Sequence, residues 1–173
     1  NCTFDNVVLE SVEFFGCVFH DCEMYGTNAK LEDTTYYDCE FESVRINNCD
    51  LETSRFNFCE IIKCQFQQLD LIKSHFDNSY LYDNRFVSIE TTRTKHSNTK
   101  FELCTFEKST IKSTIENSEV VDSSYKKSEL YIKYEAVNMI DSTFHNTEFA
   151  NVEFKEMEVS DLSVWDCDID QLD

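Results

Sequence analysis

Proline is absent from the 173 residues, and glycine occurs only twice. That composition excludes a collagen-like or Pro/Gly-rich linker chain. Two glycines cannot supply a P-loop, a dinucleotide fingerprint or a G-x-S-x-G elbow, and none of these motifs is present. Positive charge is scarce: 15 Lys and Arg stand against 34 Asp and Glu, a formal net charge of −19. Such a chain repels nucleic-acid phosphates and anionic lipid, so direct nucleic acid binding is not expected. No apolar run approaches the ~18 residues of a membrane-spanning helix. No signal-peptide pattern opens the sequence, as expected of a fragment or a mature chain. An aromatic content of 14% argues against disorder despite the charge. The length suits one domain or two small ones.

What the sequence does have is a period. Large apolar residues recur every fifth position at Phe4, Leu9, Phe14, Phe19 and Met24. After two extra residues the series resumes at Leu31 and runs without a break through Tyr36, Phe41 and onward to Phe86. Two residues before each lies a smaller one, for example Cys17, Cys22, Thr34, Cys39, Val44 and Cys49. No position of either series between Cys2 and Phe86 is charged, although a 28% charged content would place about nine charges there. A period of five matches neither a helix nor a strand. Two inward residues spaced by two, followed by a turn, fit a coil of short strands with corners. Like residues also recur every fourth repeat. Leu9, Leu31, Leu51 and Leu71 fall on one face, and Phe14, Tyr36, Phe56 and Phe76 on the next. Four sides of five residues therefore make one turn.

A second array runs from Phe101 and Phe106 to Val164 and Ile169. One-residue deletions before Ile115 and Tyr134 lie 19 residues apart, so they occupy the same corner of successive coils. The pattern is weakest over Ile115–Met139. The chain thus divides into a first array (1–86), an irregular coil or linker (87–100) and a second array (101–173) continuous with the first or nearly so. The middle segment keeps the phase but puts Thr91 and His96 at large positions. It carries Arg93, Lys95 and Lys100 against Glu90, a net of +2, between flanks of −10 and −11. A poorly formed coil and a hinge both fit these residues.

These repeats resemble the pentapeptide-repeat family over nearly the whole chain. The resemblance implies an all-β fold, a right-handed quadrilateral β-helix of about eight coils. The stretches LESVEFFGCVFHDC and DCEFESVRINNCDL look like the luminal pentapeptide-repeat domain of synaptic vesicle glycoprotein two, over roughly Leu9 to Phe66. That likeness implies a non-enzymatic binding domain on the luminal or extracellular side of a transporter-like membrane protein, of the type that clostridial neurotoxins bind partly by strand pairing. The glycan acceptors of that domain map onto Asp38-Cys39-Glu40-Phe41 and Lys63-Cys64-Gln65-Phe66, where no acceptor is retained. A second expectation comes from pentapeptide proteins that protect topoisomerases. It is an acidic DNA mimic in the cytoplasm that binds a topoisomerase, and it rests on the charge of −19.

Site chemistry is sparse. All nine cysteines fall in the small inward position, which suits free thiols used as small core residues. Cys17/Cys22 and Cys59/Cys64 have zinc-like spacing but lie on adjacent faces, so neither a metal nor any other cofactor is expected. His20 in CVFHDC faces outward by phase while Cys17 and Cys22 face inward, and His75 and His145 are outward too. No catalytic residue is assigned. Acid pairs such as Asp21/Glu23 and Glu40/Glu42 read as a solvated surface. The candidate protein-binding strip is Phe15 with Tyr37, aromatic, outward and on neighbouring coils; Phe58, Ile62, Ile72 and Tyr82 also fall in outward phases. A protein partner would engage this strip or a strand edge freed at the interruptions Tyr25–Thr35 and Val87–Lys100, and a homo-oligomer through the same surfaces fits equally well. Asn1-Cys2-Thr3 is the one glycosylation sequon, which makes Asn1 the candidate acceptor.

Overall fold

A computed structural model describes residues 3–5, 7–9 and 11–169. Asn1 and Cys2, and with them the candidate glycosylation site, lie outside the described residues. The described chain is built of short strands, mostly three residues long, and no helix. The paired strands are parallel, each hydrogen-bonded to the strand one coil away. An eight-stranded sheet runs along one side of the solenoid, from Val18–His20 to Glu158–Ser160. Its strands alternate with those of a 20-stranded sheet that wraps the other three sides. One strand per coil in the smaller sheet gives eight coils.

The five-residue period has a local cause. Each strand places its central residue inward, as in Glu60–Ile62, where Ile61 is 0% exposed. The next residue turns a corner in the left-handed backbone region: Asp38, Phe58, Asn78 and Asn98 have φ of 54°, 54°, 49° and 49°. That conformation costs an L-residue roughly 1–2 kcal/mol. It also points the corner N–H along the solenoid axis. Asp38 N donates to Asn57 O at 3.0 Å, and Asn78 N to Ser97 O at 3.0 Å. The small inward residue follows, and the next strand begins.

Register stacks identical positions directly over one another. One column runs Phe14, Tyr36, Phe56, Phe76 and His96, then continues through Ile115 to Tyr134 and Phe154. Aromatic rings stack within the columns because strand spacing and ring spacing coincide at ~4.8 Å. Tyr36–Phe56, Phe56–Phe76 and Phe86–Phe106 have centroids 4.8, 4.7 and 4.7 Å apart and lie within 13° of parallel.

The small position is a hydrogen-bond donor as well as a small side chain. Ser74 Oγ donates to Leu51 O at 2.6 Å, Cys64 Sγ lies 3.4 Å from Phe41 O, and Asn84 Nδ2 donates to Ile61 O at 2.7 Å. Each reaches the carbonyl of a large residue in the preceding coil. This satisfies a buried carbonyl that would otherwise be costly. It also explains why Cys, Ser, Thr and Asn share the position.

Val87–Lys100 contains the strand Glu90–Ser97, which pairs with Asp70–Ile72 and His75–Asp77 on one side and Thr110–Glu116 on the other. Thr91, Thr94 and Thr99 are buried there. Thr94 donates to Leu71 O, and Thr99 donates to Phe76 O at 3.1 Å. The first interruption is a bulge inside Glu23–Lys30, which is paired with Thr3–Asp5 and with Arg45–Asp50. Neither interruption therefore frees a strand edge, contrary to the expectation from sequence. Extra residues are absorbed as bulges because the strands on either side keep their partners. The deletions before Ile115 and Tyr134 have the converse effect. Thr110–Glu116 and Glu129–Glu135 run straight through a corner as seven-residue strands in full register.

Among the described residues the inward positions lose cover toward the two ends: Phe4, Leu9 and Phe14 are only partly buried in the first coil. Val159, Val164 and Ile169 occupy large positions yet are about half exposed, because no described coil covers them.

His96 sits inward where its column otherwise carries Phe or Tyr. Its ring stacks on Phe76 at 5.1 Å and meets Phe101 edge-on at 5.2 Å. Nδ1 is closed to solvent without a partner. Burial, helped by His75, pushes its pKa down to about 3 from 6.5. The folded state therefore holds a neutral imidazole. As pH falls below about 6.5 the unfolded chain gains a proton that the folded chain does not bind, and stability is lost progressively toward pH 3. His96→Phe removes this term. Its stabilisation over the parent, measured by urea unfolding, should grow by about 2 kcal/mol between pH 8 and pH 5. A difference independent of pH would show that the imidazole is already protonated or solvated in the fold.

Candidate functional site

Phe15 ends the strand Glu13–Phe15 and Tyr37 ends Thr35–Tyr37, directly opposite in register. Both side chains point out, because they follow the inward Phe14 and Tyr36. They are 63% and 43% exposed, with centroids 5.9 Å apart. Phe58 joins them as a third rung. It occupies the corner after Arg55–Asn57, is 51% exposed, and meets Tyr37 edge-on at 5.4 Å. Its outward phase is legible in the sequence. Its contact with Tyr37 is not, because one residue belongs to a strand and the other to a corner.

A groove of about 260 Å³ runs beside this ladder, lined by Gly16, Val18, Asp38, Glu40, Phe58 and Glu60 together with the Cys17 and Cys39 positions. Val18 is 66% exposed. Glu40 and Glu60 stand opposite each other in neighbouring strands. Among the described residues, neither they nor Asp38 has an ion-pair partner, whereas other acids do: Glu23 with Arg45 at 2.8 Å, and Glu116 with Lys95 at 2.9 Å. Gly16 adopts φ +56° at the same corner, and a Cβ there would meet nothing within 4 Å.

The remaining candidates do not converge. Cys22 is buried and Cys17 partly so, while His20 is exposed between Asp21 (Nδ1–Oδ2 3.2 Å) and Glu42 (Nε2–Oε2 3.3 Å). His145 is exposed. His75 departs from the outward expectation in part: its Nδ1 is shut off from water without a partner. Among the described residues no group of three or more His, Cys, Asp or Glu is placed to hold a metal ion. The eight described cysteines are free thiols. Burial pushes Cys59 and Cys104 up to about 12, and Cys49 and Cys64 to about 11. Such thiols carry almost no thiolate at neutral pH and are poor nucleophiles.

No protein-family model matches this sequence, and no curated protein matches it. Solved structures do. HetL, a pentapeptide repeat protein involved in heterocyst differentiation regulation from the cyanobacterium Nostoc sp. strain PCC 7120, aligns at TM-score 0.55 and 7% identity, over 95% of this chain and 88% of that one. The fold is that of a pentapeptide-repeat β-helix. QnrB1, a plasmid-mediated fluoroquinolone resistance protein, aligns at TM-score 0.45 and 14% identity over 91% of this chain and 92% of that one. Rfr23, a pentapeptide repeat protein from the cyanobacterium Cyanothece 51142, aligns at 0.36 and 15% over 79% and 91%.

The thiol chemistry gives a direct check. In native buffer at pH 8, a thiol reagent should label Cys49, Cys59, Cys64 and Cys104 only after denaturant is added. Rapid native labelling of any of these four, located by peptide mass spectrometry, would contradict their place in the core.

Proposed function

We propose that this chain is a non-enzymatic protein-binding module whose partner docks on the Phe15–Tyr37–Phe58 ladder. The exposure of three aromatic rings in mutual contact across consecutive coils carries this reading. Aromatic side chains are common interface anchors, and a contiguous exposed patch on a soluble surface marks an interaction site. The residue likeness over Leu9–Phe66 supports a setting on the luminal or extracellular side of a transporter-like membrane protein, with a surface of the neurotoxin-receptor type. No helix among the described residues is long and apolar enough to cross a membrane. The strand edges available for pairing belong to the first and last described coils, not to the interruptions.

Phe15→Ala combined with Tyr37→Ala should weaken binding to the receptor-binding domain of a clostridial neurotoxin by about tenfold or more, with a nearly unchanged melting temperature, since neither ring fills the interior. Full affinity in the double variant would move the interface elsewhere. A loss of several kcal/mol in stability would make the two rings structural.

One observation favours a second reading, the DNA mimic. The eight-stranded face and its following corners carry eleven carboxylates against Lys63 and Lys100. The adjoining face through Phe66, Phe86 and Phe106 instead presents Arg45, Arg85 and Lys126. The acids are thus not spread evenly over the four faces. Inhibition of gyrase supercoiling, abolished by neutralising Asp122, Asp141 and Asp161, would support this alternative over the aromatic ladder.

A further inference from the structure

Phe58 is out of place at its corner. Along that edge the same position is filled by Gly16, Asp38, Asn78, Asn98 and Asn117, residue types that tolerate a left-handed backbone, and in the last two coils by Ala136 and Glu156; Phe58 is the one aromatic residue among the described members of the edge. A bulky aromatic residue at φ 54° is an outlier there, and its ring stays about half exposed rather than entering the core. Local strain that the fold does not need points to a surface role. The charge around the ring is equally uncompensated. Asp38, Glu40 and Glu60 line the groove beside Phe58 without an ion-pair partner among the described residues, on a protein whose other carboxylates repeatedly pair across coils.

From these two features we infer that the ladder and its acidic groove receive a cationic, extended segment of a partner protein with the pattern Arg-x-Arg. The inference rests on the protein-binding reading above and specifies the chemistry of that partner. Each ring face attracts a guanidinium, and each carboxylate accepts its N–H groups. Arginine fits better than lysine because its planar group both stacks on an aromatic ring and forks onto a carboxylate. The exposed Val18 offers an apolar surface to the side-chain stems. Spacing selects the pattern. Three rungs at ~4.8 Å span roughly 10 Å, and side chains at i and i+2 of an extended chain lie about 7 Å apart on one face. Two arginines at that interval sit within the ladder, one beside Tyr37 and one beside Phe58. Arginines at i and i+3 point to opposite faces and cannot both engage.

The test uses the whole chain and three synthetic peptides of equal length: one carrying Arg-x-Arg in a valine- and threonine-rich extended frame, its citrulline counterpart, and an Arg-x-x-Arg isomer of the same charge. Isothermal titration should show the first binding about tenfold more tightly than either control. Phe58→Asn should remove that preference while keeping or raising the melting temperature, since Asn suits the left-handed corner better than Phe. Asp38→Asn with Glu40→Gln and Glu60→Gln should do the same. Asp122→Asn with Asp141→Asn and Asp161→Asn removes equal charge from another corner and should leave the affinity within about twofold of the parent.

Equal binding of the two arginine isomers, or equal weakening by both triple variants, would reduce the effect to attraction by the net charge of −19 and overturn the inference. No binding of any peptide would also overturn it. In that case the loss of neurotoxin-domain binding in the Phe15/Tyr37 double variant would still stand as evidence for the ladder itself.

Discussion

The structure depends on one constraint: every strand must hydrogen-bond to the strand one coil below it and the strand one coil above. Parallel pairing at ~4.8 Å leaves no freedom in how successive coils superimpose. A residue that faces inward in one coil must pack on its counterpart in the next. Leu71 therefore sits over Leu51, and Phe76 over Phe56. The aromatic stacks, the buried serine and cysteine columns and the cross-coil ion pairs follow from that superposition. So does the fate of irregularities. The extra residues near Tyr25 and Ala29 and the shift between Thr92 and Thr94 are taken up as bulges between strands that remain paired. Toward both ends, where nothing described lies beyond, inward positions such as Phe14 and Val164 meet solvent.

Much of this is legible in the sequence because exclusion from water is what a period reports. The two charge-free series locate the inward positions, and the four-repeat recurrence of Leu and Phe fixes the number of sides. The deletions before Ile115 and Tyr134 mark the corner that the strands cross without turning. A period says nothing of what an inward residue bonds to. Cysteine therefore reads as a small apolar filler, although its thiol, like the hydroxyls of Ser74 and Thr99, reaches a carbonyl of the coil below. Thr91 and His96 read as defects for the same reason. In the structure Thr94 and Thr99 donate to carbonyls of the coil below, Thr91 Oγ1 accepts from Lys112 N, and His96 replaces one ring of an aromatic column with another flat ring.

The surface is less legible than the core, since outward residues obey no common rule. Phase alone shows that Phe15 and Tyr37 are neighbours. Phe58 belongs to a different column and reaches Tyr37 across the corner. The unpaired state of Asp38, Glu40 and Glu60 also depends on where the nearest cations fall, which the repeat does not determine. A solenoid repeats its surface along with its core, so local departures from the repeat distinguish one stretch of it from another. Phe58 is such a departure, the one aromatic residue at a corner that the other described coils fill with Gly, Asp, Asn, Ala or Glu.

Coil-to-coil pairing runs unbroken through the irregular segment 87–100. Native-state hydrogen exchange reads it directly, because amides paired between two coils open only when a neighbouring coil detaches. Protection should rise from both ends toward the middle of the solenoid, with the amides of Lys95, Asn98 and Lys100 exchanging as slowly as those of His75, Asn78 and Tyr80, which they follow by one coil. Fast exchange across 87–100 between two protected arrays would instead reveal a hinge, and would contradict the continuous column on which the account rests.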